Sequence, residues 1–249
     1  MTANEATELR IICADLDARP LFWTGEDGER LGFEPEVGLL LGEVLGRPVR
    51  WVYSAWADFV PSLNAGKGDA VLCGQGITER RRRLVDFTRP YAVFDESVLT
   101  RADSTVTGPD GLAGRRIGAI AGSTNMALAE TFKDVEPVPF AGSSDDVLGD
   151  MVAALRLGEI DAFVDDDVAL VPLAEQPDLR IAFTVPTRNA WGIGVAKGDD
   201  GLLAALDAAL AEVAWDGRLE AVWKRWMPDL AYPFAGAAAS DGGGARCGR

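Results

Sequence analysis

Leu63-Asn-Ala-Gly-Lys-Gly-Asp-Ala70 is echoed by Leu155-Arg-Leu-Gly-Glu-Ile-Asp-Ala162, at an offset of 161 minus 69, or 92 residues. Each copy reads as the end of a helix, a glycine where the helix stops, and a buried strand: Ala70 to Cys73 in the first, Ala162 to Val164 in the second. Two equivalent βα units this far apart predict two lobes of similar α/β build.

The pattern extends outward from both copies. Leu9 to Ala14 is a β-branched run that reads as a buried strand, followed by a Gly/Asp turn at Trp23 to Glu29. Phe33 to Leu45 carries Val37, Leu40, Leu41 and Val44 at helical spacing and ends at Gly46; Val49 to Tyr53 reads as strand and Ala57 to Ala65 as helix. Past the first copy, strands are predicted at Arg116 to Ala121, Leu179 to Val185 and Gly192 to Ala196. Helices are predicted at Met126 to Phe132 and Leu202 to Trp226, the latter broken at Asp216-Gly217 with Trp215, Trp223 and Trp226 facing inward. The predicted division is residues 9–99 with 191–234 as one lobe, 104–187 as the other, and 235–249 as a disordered, Ala/Gly-rich tail. Connecting segments near Thr100 to Asp103 and Thr187 to Ala190 are the expected hinge.

Composition narrows the function. With 24 Lys and Arg against 39 Asp and Glu, the formal charge is −15, which excludes a nucleic-acid surface because phosphate binding needs a basic footprint. No apolar stretch approaches the ~18 residues of a membrane span, so a soluble, non-inserted monomer is expected. The chain has no His, which removes Ser-His-Asp and Cys-His catalysis, and it has no phosphate loop or dinucleotide fingerprint. Three cysteines, Cys13, Cys73 and Cys247, make an odd number and read as thiols rather than a disulfide framework. Met1 to Leu9 lacks the basic and apolar regions of a secretory leader; as it stands the chain is expected in the cytoplasm, or outside the membrane if a leader has been removed.

Three stretches carry candidate chemistry. Gly74-Gln-Gly-Ile-Thr-Glu-Arg-Arg-Arg-Arg-Leu-Val-Asp-Phe-Thr-Arg-Pro-Tyr91 follows a predicted strand and holds four consecutive arginines, any of which can grip a carboxylate through two parallel bonds or simply solvate a surface. Gly122-Ser123-Thr124 joins a strand to a helix N-terminus, where free N–H groups favour an anion and the hydroxyls either bind it or cap the helix. Asp165-Asp166-Asp167 follows the second repeat strand, and a nearby cation would relieve the repulsion among them. Metal is disfavoured there, since the spacing is not that of a calcium loop.

The first stretch resembles the region around the ligand-binding Arg of the family 3 extracellular solute-binding proteins. Their amino-acid-binding members carry Ile-Thr-x-x-Arg, then Asp-Phe-Ser/Thr five residues on, then Pro-Tyr. The resemblance extends from about Leu9 to Phe234 and implies a two-lobed periplasmic-binding-protein type II fold, each lobe a sheet flanked by helices, with two hinge strands. Matched residue by residue, it implies that Arg81 and Thr124 hold the ligand carboxylate, Asp165 receives its ammonium group and Trp56 lines the pocket. Gly76 stands where many members have a Ser or Thr that bonds the ligand, and Ala18 where some have an aromatic lid. Gly74, Ser123, Phe22 (or its neighbour Trp23) and Asp15 complete the candidate set.

The resulting expectation is reversible capture of an α-amino acid in an interlobe cleft, as solute receptor for an ABC transporter permease, with no catalytic residue, cofactor or metal. The acidic residues Asp15, Asp17 and Asp165 to Asp167 lean towards a neutral or cationic side chain. The alternative is a dehydratase or lyase of the same fold acting on a cyclic acid such as prephenate, arogenate or chorismate. A sensor domain reporting to a second protein is a third reading.

Overall fold

The amino-terminal run Leu9-Arg-Ile-Ile-Cys13 forms strand β1 (Leu9–Cys13) and buries every residue except Arg10. The computed structural model describes residues 8–144 and 146–235. After β1 come a hairpin of β2 (Trp23–Thr24) and β3 (Arg30–Leu31), helix α1 (Phe33–Leu45), β4 (Val49–Tyr53), α2 (Phe59–Asn64) and β5 (Ala70–Val71). A short helix α3 (Glu79–Arg82) leads into the long strand β6 (Val85–Arg101), which carries the chain into the second lobe. There follow β7 (Arg116–Ile120), α4 (Thr124–Ala129), β8 (Glu136–Phe140), α5 (Val147–Leu157), β9 (Ala162–Asp166) and α6 (Asp167–Ala174). Strand β10 (Leu179–Ala196) returns to the first lobe, closed by α7 (Asp200–Trp215) and α8 (Arg218–Trp226). Among the described residues no helix is long and apolar enough to cross a membrane.

The strand order is β4-β1-β5-β10-β6-β9-β7-β8. Hydrogen bonding runs unbroken through it because the two hinge strands, β6 and β10, stay antiparallel partners as they cross between lobes. Phe94 pairs with Asn189, while Glu96 pairs with Val185 on one side and Asp166 on the other. The extra residues of β10 between these pairs form a bulge whose Arg188 adopts φ +51, its N–H held by the Asp95 carboxylate at 2.9 Å. Thr100 and Arg101, expected in a linker, are strand residues paired with Arg180 and Leu179, so the first crossing lies earlier, at Asp95.

The sequence echo is also a structural one. Gly66 and Gly158 leave their helices in the left-handed region, at φ +70 and +71, where a side chain would be strained. Asp69 accepts the backbone N–H of Arg10 at 2.9 Å and its guanidinium at 2.7 Å; Asp161 accepts the N–H of Arg116 at 2.9 Å and its guanidinium at 3.2 Å. The same two arginines donate to the carbonyls of Gly66 and Gly158. Each lobe thus ties its first strand to the turn after its repeat helix with one Arg–Asp clamp.

Separate cores lie under each half of the sheet. In the first lobe Trp223 stacks on Phe94 at 5.1 Å and meets Phe33 edge-on at 5.5 Å, with Tyr91 fully buried beside them. In the second, Val98, Ile117 and Val164 pack on one face of the strands and Leu99, Met151, Leu155 and Phe163 on the other. Trp215, expected inside, is 73% exposed. The buried face of α7 is set by Leu206, Ala209, Leu210 and Val213, and two residues beyond Val213 the helix has turned roughly 200° away. Cys13 and Cys73 are buried free thiols, Cys73 Sγ accepting the Ala14 N–H at 3.3 Å. The expectations for the leader region up to residue 7, for Cys247 and for the tail from 236 lie outside the described residues.

Candidate functional site

The carboxyl ends of β1 and β5 in one lobe and of β7 and β9 in the other open on a cavity of about 100 Å³, continued past Trp56, Arg81, Ser123 and Thr124 by a wider gap of about 580 Å³. Strand ends are where open α/β sheets free their backbone groups and loops for ligands. Ala14, Phe22, Cys73, Gly74 and Arg81 line it from the first lobe; Ile120, Ser123, Thr124, Asp165 and Asp166 line it from the second.

Arg81 is delivered by the four-residue helix α3, whose N-cap Thr78 accepts the Arg81 N–H at 3.1 Å. Its guanidinium donates to the Gly76 carbonyl at 2.9 Å and lies 5.3 Å above the Trp56 ring, which leaves further donors for a ligand. Burial lowers its pKa, the Asp166 charge raises it, and neighbouring Arg80 lowers it again. Arg80, Arg82 and Arg83 are exposed.

Across the cavity, Ser123 caps α4, accepting the Met126 N–H at 3.0 Å and donating to Ile120 O at 2.7 Å. Its hydroxyl proton is therefore committed to the fold, whereas the Thr124 hydroxyl accepts from Asn189 Nδ2 at 3.0 Å and bonds the Glu96 carboxylate on the hinge strand. Asn189 Nδ2 also reaches Asp166 Oδ1 at 3.1 Å.

The acidic run folds as the end of β9 and the start of α6 rather than as a loop. Asp165 turns a carboxylate oxygen back to the N–H of Asp166 at 2.8 Å, while Asp166, 7% exposed, is the member that acts on Arg81 and meets Asn189. Both carboxyls are pushed well above the usual range, first by burial. Asp166 is raised further by Asp165 and Glu96, and Asp165 by Glu96. Glu96, buried on the neighbouring hinge strand, is itself raised by burial.

A side chain at Gly76 would have to displace its neighbours. A Cβ there would meet Asn189 Oδ1 at 2.7 Å, Thr124 Cγ2 at 3.2 Å and Arg81 Nη1 at 3.3 Å, so this glycine lets the two lobes meet. A second contact between lobes is the Ala57 N–H on Gly142 O at 3.1 Å, beside Trp56. Gly74, at φ +59, gives its N–H to the buried Glu34 at 2.7 Å.

Of the remaining candidates, Phe22 and Ala18 line the cavity, Phe22 lying 4.7 Å under the Arg30 guanidinium. Trp23 packs edge-on against Trp226 at 5.3 Å instead. Asp15 is not in the cavity; it is exposed beside an adjoining gap with Tyr53 and Ser54, accepting from Thr24 at 2.8 Å. Sequence reasoning missed Asn189, Glu34 and Arg30, and gave Asp166 no role. The one available signal was alternation along β9, which sends adjacent aspartates to different surroundings.

A family model described as bacterial extracellular solute-binding proteins, family 3, matches residues 11–229. The chain is 28% identical over 212 residues to the L-cystine-binding protein TcyJ of Escherichia coli (strain K12), covering 84% of this chain and 78% of that one. It is 30% identical over 211 residues to the ABC transporter arginine-binding protein 1 of the same organism, covering 82% and 84%. Its fold superposes on an ancestral arginine-binding protein bound to arginine with a TM-score of 0.80 at 25% identity, over 90% of this chain and 100% of that one. With the match reaching from β1 to beyond α8, this chain belongs to the family 3 bacterial extracellular solute-binding proteins.

Proposed function

We propose that the protein reversibly captures a zwitterionic α-amino acid between its lobes and serves as the solute receptor of an ABC transporter. The carrying observation is that Arg81 from one lobe and Asp166 from the other line one cavity and act on each other electrostatically. A ligand carboxylate would take the free donors of Arg81 and the Thr124 hydroxyl; its ammonium group would take Asp166, with Asp165 beside it. Bonds to both lobes exist only when the cleft is shut, so binding energy favours closure. Relatives that bind cystine and arginine, one of them an ABC transporter component by name, support this reading.

Calorimetry over the amino acids tests it. A micromolar complex is worth about 8 kcal/mol, and Arg81→Ala is expected to remove ~1.5–3 kcal/mol or more of that, because it also leaves Asp166 without its counter-charge. Full amino-acid affinity in Arg81→Ala would refute the assignment. Turnover of prephenate, arogenate or chorismate by the same preparation would replace capture with lyase chemistry.

A further inference from the structure

The charged side chains lining the cavity are Arg81, Asp165 and Asp166, and the zwitterion head group employs them all. What is left to receive a side chain is mainly apolar from both directions, with Leu16, Leu21 and Phe22 from the first lobe and Ile120, Val147 and Leu148 from the second, and Asn125 as the polar exception. The nearest further carboxylate, Asp15, points to the adjoining gap and already has a cation, the Arg30 guanidinium at 3.8 Å, besides the Thr24 hydroxyl. Arg30 is itself sealed in, donating to the Ala14 carbonyl and stacked on Phe22, so it holds the apolar wall in place without presenting its charge to the cavity. Trp191 Nε1, a buried atom without a partner at the cavity wall, is a donor and repels a cation.

Resting on the zwitterion reading above, we infer that the ligand is an α-amino acid with an uncharged, mainly apolar side chain. An arginine or lysine side chain would lose its hydration against Leu16, Leu21 and Leu148 and meet no carboxylate there in return. A glutamate side chain placed against these apolar walls would fare no better, because Arg81 is occupied by the α-carboxylate and Arg80 lines the gap on the other side of it.

Isothermal titration of the full chain with leucine, methionine, phenylalanine, glutamine, lysine, arginine and glutamate tests this. The tightest binding is expected among the three apolar amino acids, with lysine and arginine weaker by roughly a hundredfold. Leu16→Glu and Leu148→Glu, both at half-buried positions, each bring a carboxylate to the apolar walls and are expected to weaken leucine and shrink the gap to lysine. If glutamine, lysine, arginine or glutamate binds more tightly than all three apolar amino acids, or if neither variant changes the leucine-to-lysine ratio, the inference is overturned while amino-acid capture stands. If no amino acid binds, both are overturned.

Discussion

Glu34 accepts the backbone N–H of Gly74 at 2.7 Å, joining the start of α1 to the turn that follows β5. The same carboxylate oxygen takes the hydroxyl of Tyr91. Burial lifts the Glu34 carboxyl to about 7, against the opposing pull of Tyr91, Gly74 and the Arg30 charge. The cavity wall at Gly74 is thus anchored from behind by an acid that does not line the cavity.

This buried acid makes stability depend on pH with a definite sign. Its folded-state pKa is raised, so its stabilising contribution is complete below about 4.5, the value for the free group, and is lost as pH rises through about 7. Glu34→Gln keeps an acceptor for Gly74 and Tyr91 but cannot titrate. The difference in unfolding free energy between wild type and Glu34→Gln, followed by urea denaturation from pH 4.5 to 8, is expected to move against wild type by about 3 kcal/mol. Glu34→Leu, which strands two buried donors, is expected to cost about 2–5 kcal/mol at any pH.

Asp166 rather than Asp165 is expected to carry the ammonium group. Asp166→Asn should weaken amino-acid binding by more than tenfold, roughly the loss of one charge-assisted bond, and Asp165→Asn by less. Titration calorimetry of both variants at one pH decides the order.

Gly76→Ser is expected to hold the lobes apart, because its Cβ would lie 2.7 Å from Asn189 Oδ1 and 3.2 Å from Thr124. Small-angle scattering should show a larger radius of gyration in the presence of ligand than for wild type, and affinity should fall about tenfold or more. Asn189→Gly in the Gly76→Ser background should recover part of the loss if this contact is the cause.

The paired clamps predict matched acid sensitivity in the two lobes. Burial opposes ionisation of Asp69, but the bonds from Arg10 outweigh it and hold the carboxyl below its ordinary value; Asp161 is held down by Arg116 in the same way. Such a group stabilises the fold above its unfolded pKa of 3.8, and the contribution disappears as pH falls through the lowered folded value. Both pairs are partly exposed, which limits each to about 1 kcal/mol after screening. Asp69→Asn and Asp161→Asn should each lower the melting temperature at pH 7 by a similar few degrees, with the difference from wild type shrinking below pH 4.

Much of this was legible in the chain. The repeat encodes a local device, a glycine at left-handed φ that ends a helix before a buried strand, and local devices leave local patterns. The arginines clamped by the aspartates that follow lie 59 and 45 residues earlier and left none. Arg81 stood out among four arginines only through the family resemblance; the Thr78 cap that aims it emerged with the fold. Asn189, Glu34 and Arg30 were given no role in sequence, because each works through a partner outside its own stretch: Asn189 on Thr124 at 65 residues, Glu34 on Gly74 at 40 and Arg30 on Ala14 at 16. Asp15 looked like a pocket acid in sequence and is drawn off by Thr24 and Arg30.

The sequence by itself determined the two-lobed α/β class, since helix stops and strand runs depend on neighbours in the chain, and its resemblance to a family singled out Arg81. Only the tertiary structure decided which aspartate meets that guanidinium, where the chain crosses between lobes, and that the rest of the cavity is mainly apolar. Those outcomes depend on which side chains the crossing of β6 and β10 brings opposite one another, and burial at that crossing, more than residue type, sets which charges remain available to a ligand.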